Sequence, residues 1–307
     1  MNILFVNLYN IGDTHFSQPF IENIVRNNKD HNFFLYCKFN YIIFKEILNL
    51  KILENIDHIL LVYISHNNVL PYFYIPINNI LIINTWAGAY VVNNHVPDSD
   101  LVSLTKRYYN CIDTINQELK INLKYDIELK LPRLPNINID KIIEFKDAHK
   151  DKKILFYYNY MPESGQGFPL KSMDEHDDII LHLEKLNYKI LIPKLSEKLS
   201  SHETNNIIDC NKYFNLTEDN LCTNIYFYTY ITMYSDIVIY YDSGRSFTYI
   251  HNNISTNNIK IHISINDYYY KRLNLDNPLI PNNYCNLFIC HDKDQIIQKL
   301  SARFINI

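Results

Sequence analysis

The stretch Ile3-Leu4-Phe5-Val6-Asn7-Leu8-Tyr9-Asn10-Ile11-Gly12-Asp13-Thr14-His15 decides the fold: a mainly apolar run, Ile3 to Leu8, ends in a short polar loop. A helical pattern follows from about Ser17 to Asn28. Strands covered by helices on both faces need not alternate in polarity, and this one does not. Strand, short loop and helix together open a βαβ unit.

The rhythm continues outward from there. Phe33 to Cys37 reads as a strand, a helix lies around Tyr41 to Leu50, and apolar runs follow at His58 to Ile64 and Asn79 to Asn84. A helix from Ser99 to Leu119 and a strand from Ile127 to Leu131 complete the first half. Leu131 to Lys153 interrupts it with Pro132, Pro135 and the charged run Lys150-Asp151-Lys152-Lys153. The second half predicts strands at Ile154 to Asn159, Lys189 to Ile192, Ile207 to Asp209, Ile237 to Tyr241, Lys260 to Ile265 and Leu287 to Cys290. Helices are expected around Ser172 to Leu186, Asn224 to Tyr234, Ser243 to Asn252 and Asp292 to Phe304. The expectation is an α/β chain with two Rossmann-like domains facing a cleft: residues 1–138, a linker at 139–153, and residues 154–307. The last helix is expected to pack back on the N-terminal domain. Open parallel sheets bind ligands at the carboxyl ends of their strands, so those ends are where chemistry is sought.

Composition narrows the classes. At 307 residues the chain exceeds a usual single domain, and its 47% apolar and 20% charged residues are ordinary for a globular protein. No segment approaches the roughly 20 uninterrupted apolar residues of a membrane span, and no basic leader precedes the first strand, so a cytoplasmic location is expected. A net charge of −4 without a sustained Lys/Arg run argues against nucleic acid as partner. Cys37, Cys111, Cys210, Cys222, Cys285 and Cys290 match neither a zinc pair nor a disulfide framework. With only 5 glycines in the chain, each one is informative about backbone geometry or close approach.

Three motifs stand at predicted strand ends. In the first, Gly12 permits a tight turn and Asp13 lies at the sheet edge, where a carboxylate takes a proton from a hydroxyl nucleophile. A helix cap by Asp13 or Ser17 is the competing reading. The second runs from Tyr234-Ser235-Asp236 through the strand into Asp242-Ser243-Gly244-Arg245-Ser246. A helix N-terminus after a glycine turn, with the fixed charge of Arg245 beside it, suits a diphosphate; an Asp or Ser cap again competes. The third is the loop Pro162-Glu163-Ser164-Gly165-Gln166-Gly167-Phe168-Pro169-Leu170-Lys171, which lacks the endings of the familiar phosphate-binding loops. Its backbone can approach a nucleotide, with Ser164, Gly165, Gln166 and Lys171 as candidates, and an ordinary surface loop is the alternative. Lys194 closes the strand Lys189 to Ile192 and is a further candidate.

The Asp98-Ser99-Asp100 triplet resembles a metal-binding Asp-x-Asp but precedes a helix and reads as a cap, so no metal is assigned. No His-x-x-x-His or His-Glu pair is present among the twelve histidines. Trp86, in Trp86-Ala87-Gly88-Ala89, offers a platform for a sugar or simply packs in the core.

The strand followed by Gly12-Asp13, a hydroxyl residue and Pro19, together with Asp242-Ser243-Gly244, resembles the bacterial heptosyltransferases of lipopolysaccharide core assembly. The resemblance implies a GT-B glycosyltransferase with Asp13 as catalytic base. It implies donor contacts by the 242–246 segment and by the loop ending at Lys171, and acceptor contacts around Gly12, Thr14, His15 and Trp86. Phe247 departs from the histidine usual in that family. A nucleotide-sugar donor, a glycan or glycolipid acceptor, no further cofactor and inversion at the anomeric carbon are expected. A sugar-nucleotide epimerase of the same architecture and a non-catalytic binding protein are the alternatives.

Overall fold

A computed structural model describes residues 1–9, 11–39, 41–86, 88–91, 101–127, 129–158, 172–186, 188–202, 204–217, 221–241, 259–263 and 287–304. By backbone proximity the chain divides near Pro135 into two compact units.

In the first unit, β1 (Asn2–Asn7), β2 (Asn32–Cys37), β3 (Leu50–Ile52), β4 (Tyr72–Ile75) and β5 (Ile80–Asn84) form one sheet in the order β3-β2-β1-β5-β4. All neighbours run parallel except β4, which pairs antiparallel with β5 at the edge. Helices α1 (Ile11–Asn27), α2 (His58–His66), α3 (Gly88–Val91) and α4 (Leu101–Leu119) complete the described elements. The sequence places Phe5 and Ile3 at the centre of the sheet, where both are fully buried. Phe5 meets Phe20 of α1 edge-on at 6.1 Å and stacks with Phe33 of β2 at 6.1 Å.

Three expectations for this half are corrected. Helix α1 begins at Ile11, so Gly12 and Asp13 lie in its first turn and not in a preceding loop, and Pro19 lies inside the helix. Proline gives no N–H to the turn before it. Burial of Phe20, Ile21, Ile24 and Val25 on the sheet carries the helix through that position. The apolar run at His58 to Ile64 is helix α2, started by Asp57, whose carboxylate accepts from the amides of Ile59 and Leu60 at 2.9 and 3.2 Å. Residues Tyr41 to Leu50 give only a single 3₁₀ turn, Tyr41–Phe44, before β3.

The described part of 121–135 is irregular and forms no strand. Its backbone still needs partners, and Asn23 of α1 and Asn28, just past the helix end, supply them. Asn28 donates to the Lys124 carbonyl and accepts from the Lys124 amide, both at 2.7 Å. Asn23 pairs in the same way with Asp126, at 2.6 and 3.1 Å. Thus Asn23 is fully buried without being left unpaired.

In the second unit, β6 (Ile154–Tyr157), β7 (Lys189–Ile192), β8 (Ile207–Asp209), β9 (Ile237–Tyr241), β10 (Ile259–Ile263) and β11 (Leu287–Cys290) form an all-parallel sheet ordered β11-β10-β9-β6-β7-β8. Read from the other edge, this is the 3-2-1-4-5-6 order of mononucleotide-binding sheets. Its described helices are α5 (Asp140–Ala148), α6 (Met173–Glu184), α7 (Glu197–Ser200), α8 (Cys210–Phe214), α9 (Leu221–Tyr234) and α10 (Lys293–Phe304).

The segment read as a linker contains α5, which belongs to this unit. Ile142 and Phe145, each 2% exposed, pack with Phe156, Leu191, Cys210, Phe214 and Tyr228, while Lys146 reaches Asp236 at 3.5 Å. The polar residues of that stretch are the outer face of an amphipathic helix. Helix α10, expected to pack back on the N-terminal domain, seats Ile296 and Leu300 in the second unit's core and joins Lys293 to Asp178 of α6 at 3.3 Å.

The scarcity of glycine shows in the turns. Asn49, Asn79, Lys120 and Asn215 take left-handed backbone conformations, with φ of 66°, 48°, 53° and 57°. Asparagine tolerates that region better than most side chains, which explains why a chain with few glycines places it at three of these four positions.

Candidate active site

In a sheet of this kind the ligand crevice opens where the strand order reverses direction. In the second unit that point lies between β6 and β9, which pair in register with Tyr157 beside Ile239. The Tyr158 amide donates to the Ile239 carbonyl at 2.8 Å. The chain leaves β6 directly into the loop bearing Ser164, Gly165, Gln166 and Lys171. It leaves β9 directly into Asp242, Ser243, Gly244, Arg245 and Ser246. Those nine residues lie outside the described residues, as do Asp98 and Asp100, but the strands that carry them are neighbours at the switch point. Lys194 is exposed in the bend after β7, the next strand over.

Beneath this edge lies a buried polar pair. Tyr157, at the end of β6, meets Nδ1 of His176 in α6 at 2.8 Å, and both side chains are fully buried. Burial pushes His176 down to about 4 and holds the Tyr157 phenol well above its usual value, so an un-ionised phenol faces a neutral imidazole. The unfolded chain protonates this histidine near its usual 6.5, and the native state resists until about 4. Stability is therefore full above pH 7 and falls as pH drops from about 6.5 towards 4, by on the order of 3 kcal/mol from this group. Urea titrations across that range are expected to show this acid limb in the parent chain and a flatter one in His176→Phe. An equal slope in both would remove His176 as its source.

In the first unit the order reverses between β1 and β5, whose residues pair from Asn2 beside Ile80 to Val6 beside Asn84. Helix α1 starts at the end of β1, with Asp13 in its first turn and half-buried, where the partial positive charge of the helix end favours a carboxylate. Tyr108 of α4 is buried beside it and donates to the Thr85 carbonyl, past the end of β5, at 2.7 Å. Burial first, and then the charge of Asp13, raise this phenol well above its ordinary range. The charge of Asp13 thus bears on the phenol that is hydrogen-bonded to the chain at Thr85.

Of the other acceptor candidates, Gly12, Thr14 and His15 are buried within α1, and His15 lies against Phe16 with ring centroids 5.3 Å apart. Trp86 is half-buried at the sheet edge, its ring centroid 4.7 Å from that of Tyr9. The Trp86 amide donates to Asn84 Oδ1 at 2.9 Å, and Asn68 Nδ2 donates to the Tyr9 hydroxyl. Tyr9, Tyr108 and Asn68 escaped the sequence reading. Tyr9 carried a usable signal, since it lies between the first strand and Asp13. Tyr108 and Asn68 look like any helix or loop residue until the sheet brings them to its edge. Among the described residues no group of three or more His, Cys, Asp or Glu side chains is placed to hold a metal ion.

Both units are Rossmann-like, and in each the strands that precede the candidate segments flank the switch point. Among solved structures, the chain is similar to a glycosyl transferase family 9 protein of Veillonella parvula. The TM-score is 0.50 and the identity 11%, over 100% of this chain and 98% of the other. It is likewise similar to the E. coli ADP-heptose lps heptosyltransferase II, at TM-score 0.50 and 8% identity over 99% of each chain. At such identities the likeness is one of fold. No protein-family model and no curated protein matches the sequence. No described helix is long and apolar enough to cross a membrane.

Proposed function

We propose that the chain is a glycosyltransferase that moves a sugar from a nucleotide-sugar to a hydroxyl of a glycan or glycolipid acceptor, with Asp13 as base. One observation supports the reading: in each sheet the candidate segments follow the two strands that flank its switch point. The second unit takes the donor. Its diphosphate is met by backbone amides after Gly165 and Gly244 and by Arg245, Lys171 and Lys194. These cations and a helix N-terminus suffice to neutralise the leaving diphosphate, so the reaction is read as metal-independent. The first unit takes the acceptor. Asp13 removes the hydroxyl proton as the oxygen attacks the anomeric carbon from the face opposite the departing nucleoside diphosphate, which inverts the configuration.

An epimerase would convert a sugar-nucleotide without an acceptor, and a silent binding protein would hold it unchanged. The separating experiment is a thermal-shift screen of nucleoside diphosphates and their sugars, followed by product analysis by NMR. A matching donor at a hundred times its Kd is expected to stabilise the fold by about 2.7 kcal/mol. Transfer should appear only when acceptor is added, with the anomeric configuration inverted. Retained configuration would rule out the base role of Asp13, and interconversion without acceptor would establish the epimerase.

A further inference from the structure

Two residues past the ends of β1 and β5, the two strands that flank the first unit's switch point, stand the aromatic rings of Tyr9 and Trp86. Tyr9 is 39% exposed and Trp86 is half-buried, with ring planes inclined at 41°. Their setting is fixed by amides. The Tyr9 amide donates to Asn7 Oδ1 at 3.2 Å, and Asn68 Nδ2 donates to the Tyr9 hydroxyl. Asn84 accepts from the Trp86 amide at 2.9 Å through its Oδ1 and donates to the Asn68 carbonyl at 2.6 Å, so one side chain ties both rings to the same loop. On its other side the indole lies against Gly88, where an added Cβ would sit 2.3 Å from Trp86 Cζ2. One of the chain's 5 glycines is thus placed where the indole closely approaches the backbone.

A fixed, partly exposed and uncharged aromatic surface of this kind matches the apolar face of a pyranose. The C–H edges of such a ring pack against the electron-rich ring faces, while its hydroxyls reach neighbouring amides. A nucleoside diphosphate fits poorly here. The polar side chains tied to the rings are the amides of Asn7, Asn68 and Asn84, which carry no positive charge to offset a diphosphate. We propose that Tyr9 and Trp86 form the stacking platform for a pyranose ring of the acceptor. The attacking hydroxyl is then a sugar hydroxyl and not that of a peptide side chain or a polyol phosphate. The inference rests on the reading of the first unit as acceptor-binding, and it adds Tyr9 as a specificity-determining residue with Asn68 positioning it.

The chain contains 1 tryptophan, so its emission reports on this platform alone. The full chain, without donor, would be titrated with a panel of methyl pyranosides and disaccharides. Parallel titrations would use serine and threonine peptides, glycerol phosphate and nucleoside diphosphates. A saturable change in Trp86 emission is expected with one or more pyranosides. In Tyr9→Ala that affinity should fall about tenfold or more, and in Tyr9→Phe, which keeps the ring, it should stay within about twofold. A response to nucleoside diphosphate alone, to peptide or to glycerol phosphate, or none to any sugar, would overturn the platform. Sugar binding in a chain that transfers nothing would leave the platform standing and sink the transferase reading. Transfer to an acceptor without a sugar ring would do the reverse.

Discussion

Asp13→Asn is expected to lower kcat by about 10² to 10⁴-fold while leaving the dissociation constant of the nucleotide-sugar unchanged. The amide has nearly the shape of the carboxylate but takes no proton from the attacking hydroxyl. The donor is assigned to the second unit, and Asp13 belongs to the first. Magnitude separates the base from the competing helix-cap role. A carboxylate in the first turn of α1 contributes only about 0.3 to 1 kcal/mol to stability through the helix end. A capping role therefore predicts a small drop in Tm with full turnover. A base predicts lost turnover in a chain that melts almost normally. Steady-state rates at saturating acceptor, alongside a melting curve, decide it, and unchanged kcat eliminates Asp13 from the chemistry.

Phe145→Ala is expected to destabilise the second unit by about 3 to 5 kcal/mol. The ring is 2% exposed and meets the rings of His149, Tyr213 and Phe214 at 4.6, 5.3 and 6.0 Å, so truncation leaves a cavity lined by stiff aromatic neighbours. A residue in an interdomain linker would cost less than about 0.5 kcal/mol on the same change. Urea unfolding of the full chain, followed by a probe in the second unit, measures the difference. A shift at the lower value would return 139–153 to the role of a connector.

The second half was the more legible in sequence. Its strands are short β-branched runs such as Ile237 to Tyr241, bounded by polar residues and buried on both faces, and every described strand falls where the pattern puts it. The first half hid two elements, and the segment read as a linker hid a third. His58 to Ile64 is equally apolar as strand or helix, and what settles it is the Asp57 cap together with the helix length. Tyr72 to Ile75 is half-exposed along its length and gives no contrast between faces. It becomes a strand by pairing with β5. The charged surface of α5 masked Ile142 and Phe145, because a run of Lys and Asp looks the same on a solvated helix face as in a linker.

For the candidate site, the sequence by itself determined which segments are candidates for chemistry. Asp13, the glycine loop before Lys171 and the Asp242 to Ser246 turn each follow an apolar run, and local propensity is enough to mark a strand end. Only the tertiary structure decided which segments are neighbours. Strand order is set by which faces bury against which helices, so nothing local reveals that β6 lies beside β9 or β1 beside β5. That pairing brings the two donor segments to adjoining strand ends and sets Tyr9 against Trp86, residues far apart along the chain. It also moved Asp13 from a loop into the first turn of a helix. There the partial positive charge of the helix end favours a carboxylate, and the charge of Asp13 bears on the buried phenol of Tyr108.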